Sequence, residues 1–111
     1  NATETKALQD VKRMLDESPD DPNLMDWYAF LCYSHGQLDE SIGLYEKLLE
    51  RGSKKLEHHF YLANARYKKG DIKGAVSHWR TVVQKAPNKK LGKKSALRIK
   101  NAVAEMGSQA Q

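Results

Sequence analysis

Apolar residues recur at intervals of three and four along most of this 111-residue chain, and apolar and polar residues nowhere alternate over a long stretch. Glycine or proline follows several of the apolar stretches. The intervals correspond to one face of an α-helix, and glycine and proline are typical of the residues that follow a helix. The sequence therefore predicts an all-α protein with six helices.

These helices form one predicted domain over residues 3–107. It contains an opening helix, two helix pairs and a closing helix, at residues 4–18, 22–53, 56–87 and 90–106. In the closing helix, four apolar residues are expected on one side: Ala96, Ile99, Val103 and Met106. Residues 1–2 are interpreted as a cloning remnant and residues 108–111 as a tail.

The two helix pairs share a repeat with a period of 34 residues. Gly36 and Gly70 are 34 apart, and each is followed by a polar and then an aliphatic residue. The same spacing relates five further pairs: Ser41 and Ala75, Ile42 and Val76, Tyr45 and Trp79, Leu48 and Val82, and Leu49 and Val83. A fixed period of this length is typical of proteins built from stacked helical repeats.

The segments Met25–Leu49 and His59–Val83 resemble tetratricopeptide repeats. The small residues at the family's helix crossings match Ala29, Ala63 and Ala75, and Ser41 takes the fourth such position. The family's large aromatic residue in the second helix matches Tyr45 and Trp79, so both are expected to be buried. The first helices depart from the pattern, with Met25 or His59 for the usual tryptophan and Cys32 or Arg66 for the usual tyrosine. The resemblance implies an α–α superhelix with two full repeats.

In this family the first helix of each repeat lines a concave groove that holds a peptide. Eight residues are expected to line the groove here: Phe30, Tyr33, Phe60, Asn64, Tyr67, Lys68, Lys94 and Arg98. The alternative is that some of the aromatic residues only pack against a neighbouring repeat. Asp26 and Phe30 stand where some relatives carry a lysine and an asparagine that clamp a C-terminal carboxylate, which disfavours that clamp.

Charge is distributed unevenly along the chain. Residues 1–50 carry 11 acidic and 4 basic residues, whereas residues 51–111 carry 3 acidic and 15 basic residues. The basic excess either solvates a capping helix or attracts an acidic partner. Nucleic acid is a less favoured partner, because the basic run from Lys85 to Lys100 has no aromatic residue within it.

Catalytic and metal-binding motifs are not apparent. His35, His58, His59 and His78 lack the spacing of a metal site. Cys32 lies three residues before His35 but falls on an apolar stripe, which favours a core residue over a nucleophile. The sequence also contains no phosphate-binding loop or catalytic triad pattern. We therefore expect no enzymatic activity, no cofactor and no metal site.

The resulting hypothesis is a non-catalytic scaffold, one module of a larger bacterial-type protein, that binds a partner protein. The expected ligand is an extended segment with an apolar anchor followed by an acidic residue or a free C-terminus. The alternative is homo-oligomerisation through the apolar edge of the opening helix, and nucleic-acid binding is the least favoured. No apolar run is long enough to span a membrane, and one cysteine cannot form an internal disulfide. Both cytoplasm and periplasm remain open.

Overall fold

A computed structural model describes residues 2–110 of the protein, with side chains from 5 to 108. This range contains six helices and no strand: α1 (Ala2–Glu17), α2 (Pro22–Ser34), α3 (Leu38–Glu50), α4 (Leu56–Lys68), α5 (Ile72–Lys85) and α6 (Lys90–Ala110). The all-α prediction is confirmed. None of these helices is long and apolar enough to cross a membrane.

The predicted boundaries differ from the observed ones mainly at the carboxyl end. The closing helix was expected to end at Met106, but α6 continues through residues 108–110 of the expected tail. Asn1 of the expected cloning remnant and Gln111 of the tail lie outside the described residues.

Equivalent glycine turns end α2 and α4. Gly36 and Gly70 have positive φ angles of 76° and 91°, a conformation that glycine adopts without steric cost. After Gly36, the Gln37 N–H donates to the Cys32 carbonyl oxygen at 2.8 Å. After Gly70, the Asp71 N–H donates to the Arg66 carbonyl oxygen at 2.9 Å. The 34-residue spacing in the sequence therefore corresponds to the same backbone turn.

Aspartate side chains cap the start of two helices. The Asp21 carboxylate accepts hydrogen bonds from the backbone N–H groups of Asn23 and Leu24, at 2.9 and 3.3 Å. The Asp71 carboxylate accepts one from the Gly74 N–H at 3.0 Å, and this bond is the main reason its pKa lies below the ordinary value. These bonds satisfy N–H groups that have no partner within the helix.

Residues 1–54 form the first of two compact units, in which α1 packs on α2 and α2 packs on α3. Its buried apolar residues are Leu8, Val11, Leu15, Met25, Tyr28, Ala29, Cys32, Tyr45 and Leu48. Leu8, Val11 and Leu15 of α1 are thus part of this core. The predicted burial of Tyr45 is also confirmed.

Residues 55–111 form the second unit, in which α5 packs on both α4 and α6, and α6 also contacts α4. Its core comprises Phe60, Ala63, Ala75, Val76, Trp79, Val82 and Ala102. Trp79 is only 2% exposed, which confirms the predicted burial. Its indole Nε1–H donates to the Asn64 side-chain oxygen at 3.0 Å, so the one polar atom of this ring is satisfied inside the core.

The most buried residues of α6 are not the four apolar residues that were expected on one side. Ser95 and Ala102 are buried and Ile99 and Met106 are half-buried, whereas Ala96 and Val103 are exposed. Gly92 is also buried, and a Cβ atom at that position would collide with the Ala86 carbonyl group. Small residues therefore allow close backbone packing on this side, and hydrophobicity alone did not identify it.

Candidate functional site

Helix α2 exposes two large aromatic side chains at its surface. Trp27 is 51% exposed and Phe30 is 41% exposed, and Tyr33 next to them along the helix is half-buried. Residues three apart on a helix are neighbours, so Phe30 lies beside both Trp27 and Tyr33, and we call these three residues the α2 aromatic surface. The other side of α2 carries the buried residues Met25, Tyr28, Ala29 and Cys32.

Trp27 was not among the residues selected from the sequence, although Phe30 and Tyr33 were. The signal that identifies it is its spacing of three residues from Phe30, outside the stripe that is buried. A tryptophan exposed to half its area is notable, because exposed aromatic residues often become the main contacts of a binding interface.

In the second unit, α4 and α6 bring an aromatic ring and a cation together. The Arg98 guanidinium carbon lies 5.3 Å from the centroid of the Phe60 ring, a cation–π contact. Phe60 itself is buried, and its ring meets Tyr61 edge-on with a centroid distance of 5.4 Å. Lys68 on α4 and Lys94 on α6 are exposed. We call Tyr67, Lys68, Lys94 and Arg98 the α4–α6 surface; Phe60, which was expected to line the groove, is buried beneath Arg98.

Tyr67 joins this surface to the core beneath it. Its ring lies 5.8 Å from the Trp79 ring, centroid to centroid. Its hydroxyl donates a hydrogen bond to the Glu105 carboxylate on α6. Glu105 was not considered in the sequence analysis, and it adds one negative charge to an otherwise basic surface. Glu105 reaches Tyr67 because α6 lies next to α4 here, and the sequence alone does not show this contact.

Asn64 occupies a different place from the predicted one. It was expected to offer its amide to a ligand, but it is buried, and its side-chain oxygen accepts the Trp79 indole N–H. The reason is geometric, since Asn64 lies on the side of α4 that packs against α5. Of the eight predicted residues, Phe30 and Tyr33 belong to the first unit, and the other six belong to the second.

Two histidines meet between α4 and α5. The Nδ1 atoms of His59 and His78 are 3.0 Å apart, so one ring donates a hydrogen bond and the other accepts it. Burial is the main cause that lowers the pKa of both imidazoles, and positive neighbours add to it. Among the described residues, no group of three or more histidine, cysteine, aspartate or glutamate side chains could hold a metal ion.

Cys32 is fully buried in the first unit. Burial raises the pKa of its thiol, and its Sγ lies 3.9 Å from the side-chain oxygen of Gln37. A reactive cysteine needs an accessible thiolate, so this environment favours the core role over the nucleophilic one.

Comparison with known proteins gave no assignment, since no protein-family model and no curated protein matches this chain. The functional interpretation therefore depends on the geometry of the α2 aromatic surface and the α4–α6 surface.

Proposed function

We propose that this chain is a non-catalytic scaffold that binds an extended segment of a partner protein. The observation that carries the proposal is the exposure of Trp27 and Phe30 side by side on α2. Such rings are held by a helix whose other side is buried, so little conformational entropy is lost when they are covered. Tryptophan is also among the residues that most often dominate binding energy.

The α4–α6 surface supports the same function and indicates the chemistry of the ligand. Lys68, Lys94 and Arg98 are exposed cations on α4 and α6, and Arg98 lies over the Phe60 ring. The ligand would have an apolar anchor, followed by an acidic residue or a free carboxyl terminus. Glu105 would repel a ligand carboxylate placed next to Tyr67. The acidic group of the ligand should therefore lie nearer Lys94 and Arg98.

The tetratricopeptide interpretation belongs to this proposal. It is supported by the equivalent turns at Gly36 and Gly70, and by three buried pairs spaced 34 residues apart: Ala29 and Ala63, Ser41 and Ala75, and Tyr45 and Trp79. In that arrangement α2 and α4 would be the first helices of two repeats, and their surfaces would line the concave groove of a superhelix.

The function can be tested by screening the protein against a library of internal and C-terminal peptides. The strongest peptide, carrying a fluorescent label, is then titrated into the wild type and the Trp27→Ala and Phe30→Ala variants. Each substitution should weaken binding about tenfold or more, the effect of losing roughly 1.4 kcal/mol.

Leu97→Ala is the matched control, because Leu97 is a large exposed apolar residue that belongs to neither surface. It should bind like the wild type. If Trp27→Ala and Phe30→Ala also keep wild-type affinity, the α2 aromatic surface does not bind the peptide and the proposal loses its main support.

A further inference from the structure

A groove with an accessible volume of about 730 Å³ opens between α5 and α6 in the second unit. Val76 on α5, together with Val103 and Met106 on α6, contributes its apolar lining. Lys73 and Arg80 on α5 line it as well. We call this the α5–α6 groove.

The groove differs in location and in charge from the α4–α6 surface. Val103 and Arg98 are five residues apart on α6, so their side chains point about 140° away from each other around the helix. The residues lining the groove include two cations and no acidic side chain. An apolar surface with a positive rim fits an amphipathic helix whose exposed apolar residue is flanked by carboxylates.

Helix α1 of the same sequence has such a face. Val11 and Leu15 are buried within the first unit, but Met14 between them in sequence is 44% exposed. Asp10 precedes Met14 by four residues and Glu17 follows it by three, so all three lie on one side of the helix. This face presents one flexible apolar side chain together with two acids, and Arg13, which is paired with Asp10, lies beside them.

The spacing of this face matches the groove when the two helices run in opposite directions. Asp10, Met14 and Glu17 are separated by four and then three residues. Read from the other end, Arg80, Val76 and Lys73 are also separated by four and then three residues. Both outer pairs are therefore about 10 Å apart along their helix axes, with an apolar residue between them.

We propose that α1 of a second copy of this chain docks antiparallel into the α5–α6 groove. Asp10 then lies opposite Arg80, Glu17 opposite Lys73, and Met14 between Val76 and Val103. In the single chain, Asp10 Oδ1 lies 2.7 Å from Arg13 Nη2. An exposed ion pair of this kind is weak, so Asp10 can readily pair with Arg80 instead.

The charge of the whole chain favours the same encounter. Residues 1–50 have a net charge of −7 and residues 51–111 have a net charge of +12. The acidic part of one copy therefore attracts the basic part of another, over a range of about 10 Å at moderate salt. The two contact surfaces differ, so the association is heterologous and further copies can add to either end.

The test is sedimentation velocity over a range of protein concentrations at low salt. The wild type should form oligomers that grow with concentration and dissociate as salt is added. Met14→Glu and Val103→Glu should each be monomeric, because one contact surface of each variant is blocked. Both positions are about half exposed, Val103 at 49%, so circular dichroism should show unchanged folding. Leu97→Glu, on α6 but outside the groove lining, is the matched control and should associate like the wild type.

A mixture of the two blocked variants distinguishes this heterologous interface from a symmetric interface. Met14→Glu retains an intact groove and Val103→Glu retains an intact α1 face, so the mixture should form a dimer that neither variant forms alone. A wild type that stays monomeric at every concentration at low salt overturns the proposal. It is also overturned if the mixture stays monomeric or if either single variant associates like the wild type.

Charge reversal tests the antiparallel pairing itself. Arg80→Glu and Asp10→Arg should each abolish association at low salt, and the double variant should recover it because the pair is restored with opposite sign. Failure of the double variant to recover association, with its fold intact, overturns the assigned register. These substitutions leave Trp27 and Phe30 unchanged, so peptide binding and self-association can be scored independently.

Discussion

Trp79 contributes to the second unit in two separate ways. Its ring fills the core between α4, α5 and α6, and its indole N–H satisfies the buried oxygen of Asn64. The burial of Trp79 follows from its position in the repeat, and the sequence predicted it. The partner of its N–H could not be predicted, because the sequence does not show whether a polar residue beside an apolar stripe faces solvent or a neighbouring helix.

Substitution of Trp79 can separate these contributions. Trp79→Ala should lower the free energy of unfolding by about 3–5 kcal/mol, the usual cost of deleting a buried large aromatic side chain. Trp79→Phe keeps most of the ring but leaves the Asn64 oxygen without its donor, so it should cost about 1–3 kcal/mol. Urea unfolding followed by circular dichroism measures both values. If the two variants lose the same free energy of unfolding, the hydrogen bond, and not the burial of the ring, supplies most of the stability that Trp79 contributes.

Gly92 and Gly43 are both helical glycines, but they should respond in opposite ways to alanine. A methyl group at Gly92 would collide with the Ala86 carbonyl group, so Gly92→Ala should destabilise the protein by about 1–3 kcal/mol. Gly43 on α3 is exposed, with open space around its missing side chain, so Gly43→Ala should stabilise it by up to about 1 kcal/mol. Thermal unfolding of the two variants shows whether each substitution raises or lowers the stability of the protein. A stabilised Gly92→Ala would show that α6 does not approach the preceding loop as closely as described.

At the scale of helices, the features that depend on local sequence were predicted well, whereas the packing between helices was predicted less well. Glycine turns end α2 and α4 and aspartate side chains cap α2 and α5, and each of these features acts on only a few adjacent residues. The buried positions of α6 were not predicted, since Ser95 and Ala102 are less hydrophobic than Val103 but allow closer approach. Arg98 stacks on Phe60 because α4 and α6 adjoin, and that arrangement could be anticipated only through the family resemblance.

The contact between His59 on α4 and His78 on α5 should make stability depend on pH. Both pKa values in the folded protein lie below the ordinary value of 6.5, mainly because of burial. The unfolded chain therefore binds more protons below about pH 6.5, and stability is present above that pH and lost as the pH falls through it. The neighbouring groups that act on the pair are His58, Lys85, Arg66 and Asp71, of which only Asp71 favours protonation.

Urea unfolding at about pH 7.5 and about pH 5.5 measures this effect, because most carboxylates stay ionised across that interval. The wild type should be less stable at the lower pH. His78→Gln should reduce the difference. A difference that is unchanged in His78→Gln would assign the pH dependence to other groups.

At the scale of the whole molecule, the all-helical architecture follows from the pattern of the sequence, whereas the surfaces proposed for binding depend on exposure. The apolar intervals of three and four residues predicted six helices, and the resemblance to tetratricopeptide repeats implied the burial of Tyr45 and Trp79. Neither could predict that Trp27 remains exposed or that Asn64 becomes buried, since both depend on how much of each helix its neighbours cover. The charge difference between the two halves can be counted from the sequence alone, and it leads to the clearest expectation about a ligand.

A peptide with an apolar anchor and an acidic end should bind through two forces that respond differently to salt. Salt screens the attraction of an exposed cation but leaves apolar contact largely unchanged. Tyr67→Ala should therefore weaken binding at every salt concentration, whereas Lys94→Glu should weaken it chiefly at low salt. Lys100→Glu changes the net charge equally from a position outside the α4–α6 surface, so any larger effect of Lys94→Glu reports local contact.

Fluorescence anisotropy of the labelled peptide, at about 0.05 M and about 0.5 M salt, gives the affinities. Thermal unfolding of Tyr67→Ala must be measured alongside, because this side chain also contacts Trp79 and Glu105. Glu105→Gln should strengthen binding of the acidic peptide, since it removes a like charge beside the proposed site. If Tyr67→Ala stays folded and both it and Lys94→Glu bind like the wild type, the peptide uses another part of the protein and the α4–α6 surface is not its site.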